Sequence, residues 1–191
     1  METFLQTSFE NVRSDKRTNI FHAILLDEVL NVNPIWANYN WKFEYKLPVD
    51  GFGGTFDLDI AGFVDSVLKV VILGKAMNSN IAKNIKNYAN TTIGEAARLI
   101  YAPDIDLEKV LFISICPRLA PRFKKTGVVG GFDNVLSYKS RTNVVPVLTK
   151  QYENKVQVID LMFDIRDVTQ KKTKDDFCDI IIENLDELVI V

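Results

Sequence analysis

Two aspartates and a lysine, spaced so that one tight turn brings them together, are the residues of this chain best suited to chemistry. They lie in Thr55–Ala76, TFDLDIAGFVDSVLKVVILGKA, which reads as two strands joined by a short turn. Side chains alternate faces along a strand. Phe56, Leu58 and Ile60 are therefore expected on one face, with Asp57 and Asp59 on the other. A turn centred at Asp65 sets Asp57 opposite residue 73, and Lys75 follows two residues later on the same face as residue 73. Two acids and a lysine at such a corner can hold a divalent metal ion and a phosphodiester. Position 73, however, is a leucine, which ligates nothing.

Other metal chemistries are narrowed by composition. His22 is the only histidine, which excludes two-histidine zinc sites and weakens any Ser-His or Cys-His scheme. It lies in an apolar helical stretch, where a structural role is expected. Cys116 and Cys178 are isolated, without a CxxC spacing, and read as packed thiols. Metal ligands are then expected to be oxygens, which points to Mg2+ or Mn2+. Simpler readings of the same residues stand beside this one. Asp57 and Asp59 can be solvent-facing positions of an edge hairpin, and Asp57 with Lys75 can be a plain ion pair. GFGG and GVVGG lack the lysine-serine and the strand-glycine-helix layout of nucleotide-binding loops.

These residues need elements to place them. A helix is expected over Asp15–Leu30, with Ile20, Ala23, Ile24, Leu25 and Val29 near helical spacing, closed by Asn33-Pro34. Asn40–Leu47 alternates Trp41, Phe43, Tyr45 and Leu47 with Lys42, Glu44 and Lys46, as a half-buried strand does. The turn DGFGG, residues 50–54, leads from it into the Asp57 strand, making a three-stranded meander. Ser79 is the expected N-cap of a helix reaching Tyr101, with Ile81, Ile85, Tyr88, Ala89, Thr92, Ile93, Ala96 and Ile100 on one face. Lys109–Cys116 is apolar throughout, like a strand buried on both sides. Pro121–Tyr138 reads as a glycine-rich loop, Val144–Thr149 and Lys155–Phe163 as strands, and Asp175–Leu188 as a final acidic, amphipathic helix.

The net charge of −2 conceals an uneven distribution. Arg118, Arg122, Lys124, Lys125, Lys139 and Arg141 face only Asp133 in their segment, whereas Thr173–Val191 carries six acids against Lys174. A local basic patch of this kind suits a polyanion. Phe123, Phe132 and Tyr138 in the same stretch can stack on bases or pin it to the core. The apolar side of the acidic tail, Phe177, Ile180, Ile181, Leu185 and Leu188, is compatible with a homodimer. No apolar run is long enough for a membrane span. METFLQTSFENVRSDKR has no continuous apolar core, so no signal peptide is read and a cytoplasmic location is expected.

Asp57 or Asp59 on a middle strand, a hairpin, and Lys75 ending an apolar strand that runs into a helix resemble the PD-(D/E)XK nuclease superfamily. The helix-strand-strand-strand-helix-strand order from about Asp15 to Cys116 is similar to its common core. The resemblance implies a restriction-endonuclease-like α/β fold, a mixed central β-sheet flanked by helices, formed by residues 1–191 as one domain. It also implies Mg2+-dependent (or Mn2+-dependent) hydrolysis of phosphodiester bonds of nucleic acid, here DNA. Catalytic roles then fall to Asp57, Asp59 and Lys75, with Asp57 and Asp59 as metal ligands. Ser79, Lys83, Asn84, Asn87, Arg118, Arg122, Lys124 and Lys125 become candidate nucleic-acid contacts.

The chain departs from the superfamily at Leu73, where an acid two residues before the lysine is wanted. A migrated acid can replace it, from Glu44, Glu28 or Glu95. Otherwise the chain keeps the fold for binding nucleic acid or protein without turnover.

Overall fold

The computed structural model describes residues 1–9, 15–48, 54–102, 105–138, 147–148, 152 and 154–191. The side chains of residues 15–17, 83 and 86 are outside that description. Two helices lead the chain, α1 (Glu2–Thr7) and α2 (Asp15–Val32). Strands β1 (Asn40–Pro48), β2 (Thr55–Val64) and β3 (Val67–Ala76) follow as an antiparallel meander. Helix α3 (Ile81–Ile100) then crosses over to β4 (Lys109–Pro117), which lies parallel to β3. A small hairpin of β5 (Leu119–Phe123) and β6 (Val129–Asn134) precedes β7 (Val156–Ile165), parallel to β4, and the two-residue β8 (Ile182–Glu183), antiparallel to β7. The main sheet thus has six strands in the order β1-β2-β3-β4-β7-β8. The class is α/β, with a mixed sheet and helices on its faces.

Both faces of the sheet are covered. On one, α3 contributes Ala89, Ala96 and Leu99 to a core with Leu58, Phe63, Leu73, Val110 and Phe112. On the other, Phe21, Leu25 and Val29 of α2 pack with Ile60, Val70, Ile72, Leu111 and Ile113. Strand β4, central to both cores, is buried along all nine residues, which accounts for its unbroken apolar run. The core face of α2 differs from the expected one. Ile20 is 46% exposed and Ala23 faces out, while Phe21 and His22 point inward, a rotation of about one residue. In α3, Leu99 takes a core position and Ile93 is turned toward solvent.

Two expectations fail for physical reasons. The glycine-rich stretch forms the β5–β6 hairpin instead of a loop, because Gly127 and Gly131 supply the positive φ values that its turn and bulge require. Phe123 meets Phe177 edge-to-face with ring centroids 5.4 Å apart, and Phe132 packs on the α2-side core, so both pin the hairpin down. The final helix is absent. Asp175–Phe177 makes one 3-10 turn, Asp179 and Asn184 adopt left-handed φ, and β8 pairs with β7. Phe177 and Ile180 are spent in the core, and Leu185 and Leu188 pack against it, so the tail presents no amphipathic helical face to a partner. The strand expected over Val144–Thr149 falls largely outside the described residues, and positions 147–148 within it are helical. Lys139, Arg141 and the turn at 50–53 also lie outside them.

Candidate functional site

The β2–β3 turn has Asp65 and Ser66 at its two central positions, both with positive φ (48° and 67°), the geometry of a two-residue hairpin loop. A bulge between Gly62 and Phe63 shifts the register further, so Ile60 faces Ile72. The expected pairing of Asp57 with residue 73 is thereby displaced. The ladder stops at Ile60↔Ile72, and beyond it the Asp59 Oδ2 accepts a hydrogen bond from the Gly74 N–H at 2.8 Å. The two strands part at this point, and the aspartate fills the gap with its side chain.

Strict alternation also breaks here. Phe56 and Leu58 belong to the α3-side core, but Ile60 belongs to the α2-side core and Ala61 to the α3 side again. The faces exchange at Asp59. The neighbouring strand does the same: Trp41 packs on the α2 side, whereas Tyr45 and Leu47 pack on the α3 side. Between them Glu44 has φ 48°, a left-handed conformation that costs a non-glycine residue about 1–2 kcal/mol. The β1–β2 register runs from Phe43↔Ile60 to Tyr45↔Leu58, so the two slips lie side by side.

The paired slips turn Glu44 and Asp59 toward one residue of α2. His22 Nδ1 is 2.9 Å from Glu44 Oε1, and its Nε2 is 3.7 Å from Asp59 Oδ2. One ligand atom from each of the three residues lies within 4.8 Å of the other two. Gly74 makes the approach possible, since a Cβ there would meet Leu25 at 2.8 Å and Phe21 at 3.1 Å. Burial pushes the Asp59 carboxyl above the ordinary carboxylate range, and Glu44 adds to the rise, while His22, the Gly74 N–H and Lys75 oppose it. On the α3 side, burial and then the Asp59 charge push Glu95 up to about 7, against the pull of Lys75 and Arg98.

His22, Asp59 and Glu95 open into a cleft of about 1040 Å³ lined by residues of both α2 and α3. Asp57, Asp59, Leu73, Lys75, Ser79, Asn84, Asn87, Glu95 and Arg122 all line it. Asp57 is exposed at the rim, outside the three-residue cluster, and forms no ion pair with Lys75 among the described residues. Leu73 is buried in the α3-side core. Of the three acids considered in its place, Glu44 and Glu95 border Asp59, whereas Glu28 pairs with the Met1 amino group at 3.3 Å.

The phosphate-facing candidates divide. Asn80, not Ser79, holds the N-cap position of α3, in a left-handed conformation, and its Oδ1 accepts the Phe123 N–H at 3.1 Å instead of a helix amide. The helix start already has an anion, because Asp133 Oδ2 accepts the Ala82 N–H at 3.3 Å. Arg122 Nε lies 3.4 Å from the same carboxylate. Arg118 leaves the cleft altogether, bonded to the Asn184 carbonyl at 2.7 Å and to the carboxylates of Asp186 and Asp164. Lys124 and Lys125 are exposed at the β5–β6 turn, and Lys83 lies on α3.

Sequence reasoning assigned His22 a structural place and an oxygen-only ligand set. The structure puts its ring between two carboxylates. The only signal in the chain was that an ionisable group shared the face of Phe21, Leu25 and Val29, and that face was read one residue out of phase. No protein-family model, no curated protein and no solved structure matches the chain.

Proposed function

We propose that the chain is a metal-dependent nuclease of restriction-endonuclease-like architecture, hydrolysing phosphodiester bonds of DNA, with His22 and Asp59 holding the metal and Glu44 orienting the imidazole. The observation that carries this is the gap between His22 Nε2 and Asp59 Oδ2. At 3.7 Å it is too long for a hydrogen bond. It is also within the span of about 4.2 Å that one cation bonded to each atom at about 2.1 Å can bridge. One imidazole with carboxylates suits Mn2+ better than Mg2+. Glu44 on the other ring nitrogen orients the imidazole, as carboxylates do for metal-bound histidines. Strain stored at Glu44 to reach that position is consistent with a functional site.

A bound divalent ion supplies Lewis-acid polarisation of the phosphate and activation of water. Lys75, on the open side of the cleft near Asp59 and Glu95, offers an ammonium to the charge that builds on the phosphoryl oxygens. Glu95, with its carboxyl near neutrality, is suited to accept a proton from an attacking water. Asn84 and Asn87 line the approach along α3 and can hold the strand in place.

A second reading rests on Leu73 and on the Gly74 N–H already bonded to Asp59: a nuclease fold kept for binding without turnover. Calorimetric titration of the purified chain with Mn2+ separates the two. The nuclease reading expects one site, lost in Asp59→Asn and in His22→Ala, with Lys75→Ala retaining metal but losing cleavage of DNA. Absence of binding in the natural chain, or cleavage undiminished in Lys75→Ala, would overturn it.

A further inference from the structure

The cleft has a charge problem. Asp57, Asp59, Glu95 and Asp133 line it against Lys75 and Arg122, and Arg122 is already paired with Asp133. Asp133 also occupies the amino end of α3. Formal charge alone therefore repels a polyanion from the place where the nuclease reading needs one. The attraction must come from another surface.

A basic surface lies beside the cleft, and two distant segments build it. Lys124 and Lys125 sit at the tip of the β5–β6 hairpin, closed by the Gly127 N–H donating to the Lys124 carbonyl at 2.9 Å. Residues 171–174 run along this tip. The Val129 N–H donates to the Lys172 carbonyl at 2.7 Å, the Lys174 N–H to the Gly127 carbonyl at 2.8 Å, and Val128 bridges Thr173. Lys172 and Lys174 thereby join Lys124 and Lys125 in one patch. Asp175, next to Lys174, is exposed beside the patch, whereas the Asp176 carboxylate is turned onto the Lys172 and Thr173 amides at 2.7 and 2.8 Å. Lys171 stands apart, with its ammonium on the Asp176 carbonyl at 2.6 Å, while the Lys172 ammonium has only a long contact to the Thr169 carbonyl at 3.5 Å.

The patch is also fixed relative to the cleft. The Asn80 N–H donates to the Pro121 carbonyl at 3.0 Å and the Phe123 N–H returns a bond to Asn80 Oδ1, tying the base of the hairpin to the cleft rim. Lys125 is three residues beyond Arg122, which lines the cleft wall, so the two lie within about 11 Å of each other along the chain. We infer that Lys124, Lys125, Lys172 and Lys174 form a nucleic-acid backbone grip, which holds the strand outside the acidic cleft while one phosphodiester enters it. This rests on the nuclease reading for what the cleft does, but the grip itself requires no metal.

The test is fluorescence anisotropy with a labelled DNA oligonucleotide, single-stranded and duplex, in EDTA, between about 50 and about 200 mM salt. Lys124→Gln/Lys125→Gln and Lys172→Gln/Lys174→Gln should each weaken binding about tenfold at the lower salt. Each pair should also reduce the slope of log affinity against log salt by about 1.4 on single strands and about 1.8 on duplex. Circular dichroism should remain unchanged, since the substitutions keep the stems and remove only charge. A natural chain that fails to bind either probe, or slopes indifferent to both pairs, would overturn the grip. Loss of Mn2+ binding in Asp59→Asn is measured separately, so a grip without a metal site and a metal site without a grip are different outcomes.

Discussion

Single side chains at this site carry opposed demands, and Glu95 shows the cost most directly. Its carboxyl titrates near 7 because burial and Asp59 disfavour its charge, so the folded chain holds a proton that the unfolded chain, with an ordinary carboxylate, releases earlier. Stability from this group is fully present below the ordinary carboxylate range and is lost as the pH rises toward 7. Glu95→Gln should therefore stabilise the metal-free chain at about pH 8, by on the order of 1–2 kcal/mol after allowance for partial solvent screening, and change little near pH 4. Urea unfolding at the two pH values checks this, and equal effects at both would mean that the folded chain does not raise the Glu95 carboxyl. Asp59, Lys75 and Glu44 are legible as candidates from their types and order alone. His22 is not, because its importance depends on two strands bending toward it, and no local pattern around it records that.

At the scale of elements, the paired slip in β1 and β2 is what brings Glu44 and Asp59 to His22. It contradicts the simple alternation that made both strands recognisable, and it lies where Glu44 holds a left-handed backbone. Glu44→Gly should relieve that conformation. The expected result is a chain no less stable than the natural one, or more stable by up to about 1 kcal/mol, with weaker Mn2+ binding. Clear destabilisation on denaturant unfolding would show that Glu44 is a packing residue and not a strained ligand carrier. The hairpin register was missed for a related reason: a two-residue turn and a bulge each move the pairing, and neither leaves a mark that alternation detects. The acidic tail misled differently. Its apolar residues have near-helical spacing, yet pairing with β7 and two left-handed residues keep it extended.

For the molecule as a whole, the α/β class followed from the order of elements, and the buried β4 from its composition. The placement of the tail did not, because it depends on long-range bonds. Asp186 is central to these: its carboxylate accepts the Met162 N–H at 2.9 Å and a bond from Arg118, while its own N–H donates to the Met162 carbonyl. Gln157 adds bonds to the Val189 carbonyl and the Val191 N–H. Asp186→Ala should cost about 1–2 kcal/mol in chemical unfolding and leave Mn2+ affinity unchanged. Arg118→Gln should act on stability in the same direction without altering the salt dependence of DNA binding. A large change in that dependence would return Arg118 to the binding surface.

The bend at Glu44 has one more effect. Strand β1 is an edge of the main sheet, and the outer side of such a strand is a row of unpaired amides and carbonyls on which another chain can add itself. A nine-residue edge would be a good template for that addition if it were regular. The left-handed residue at its centre breaks the row in half, and Lys42 and Lys46 stand exposed on either side of it. The distortion that aims the Glu44 carboxylate at His22 thus also discourages aggregation through this edge.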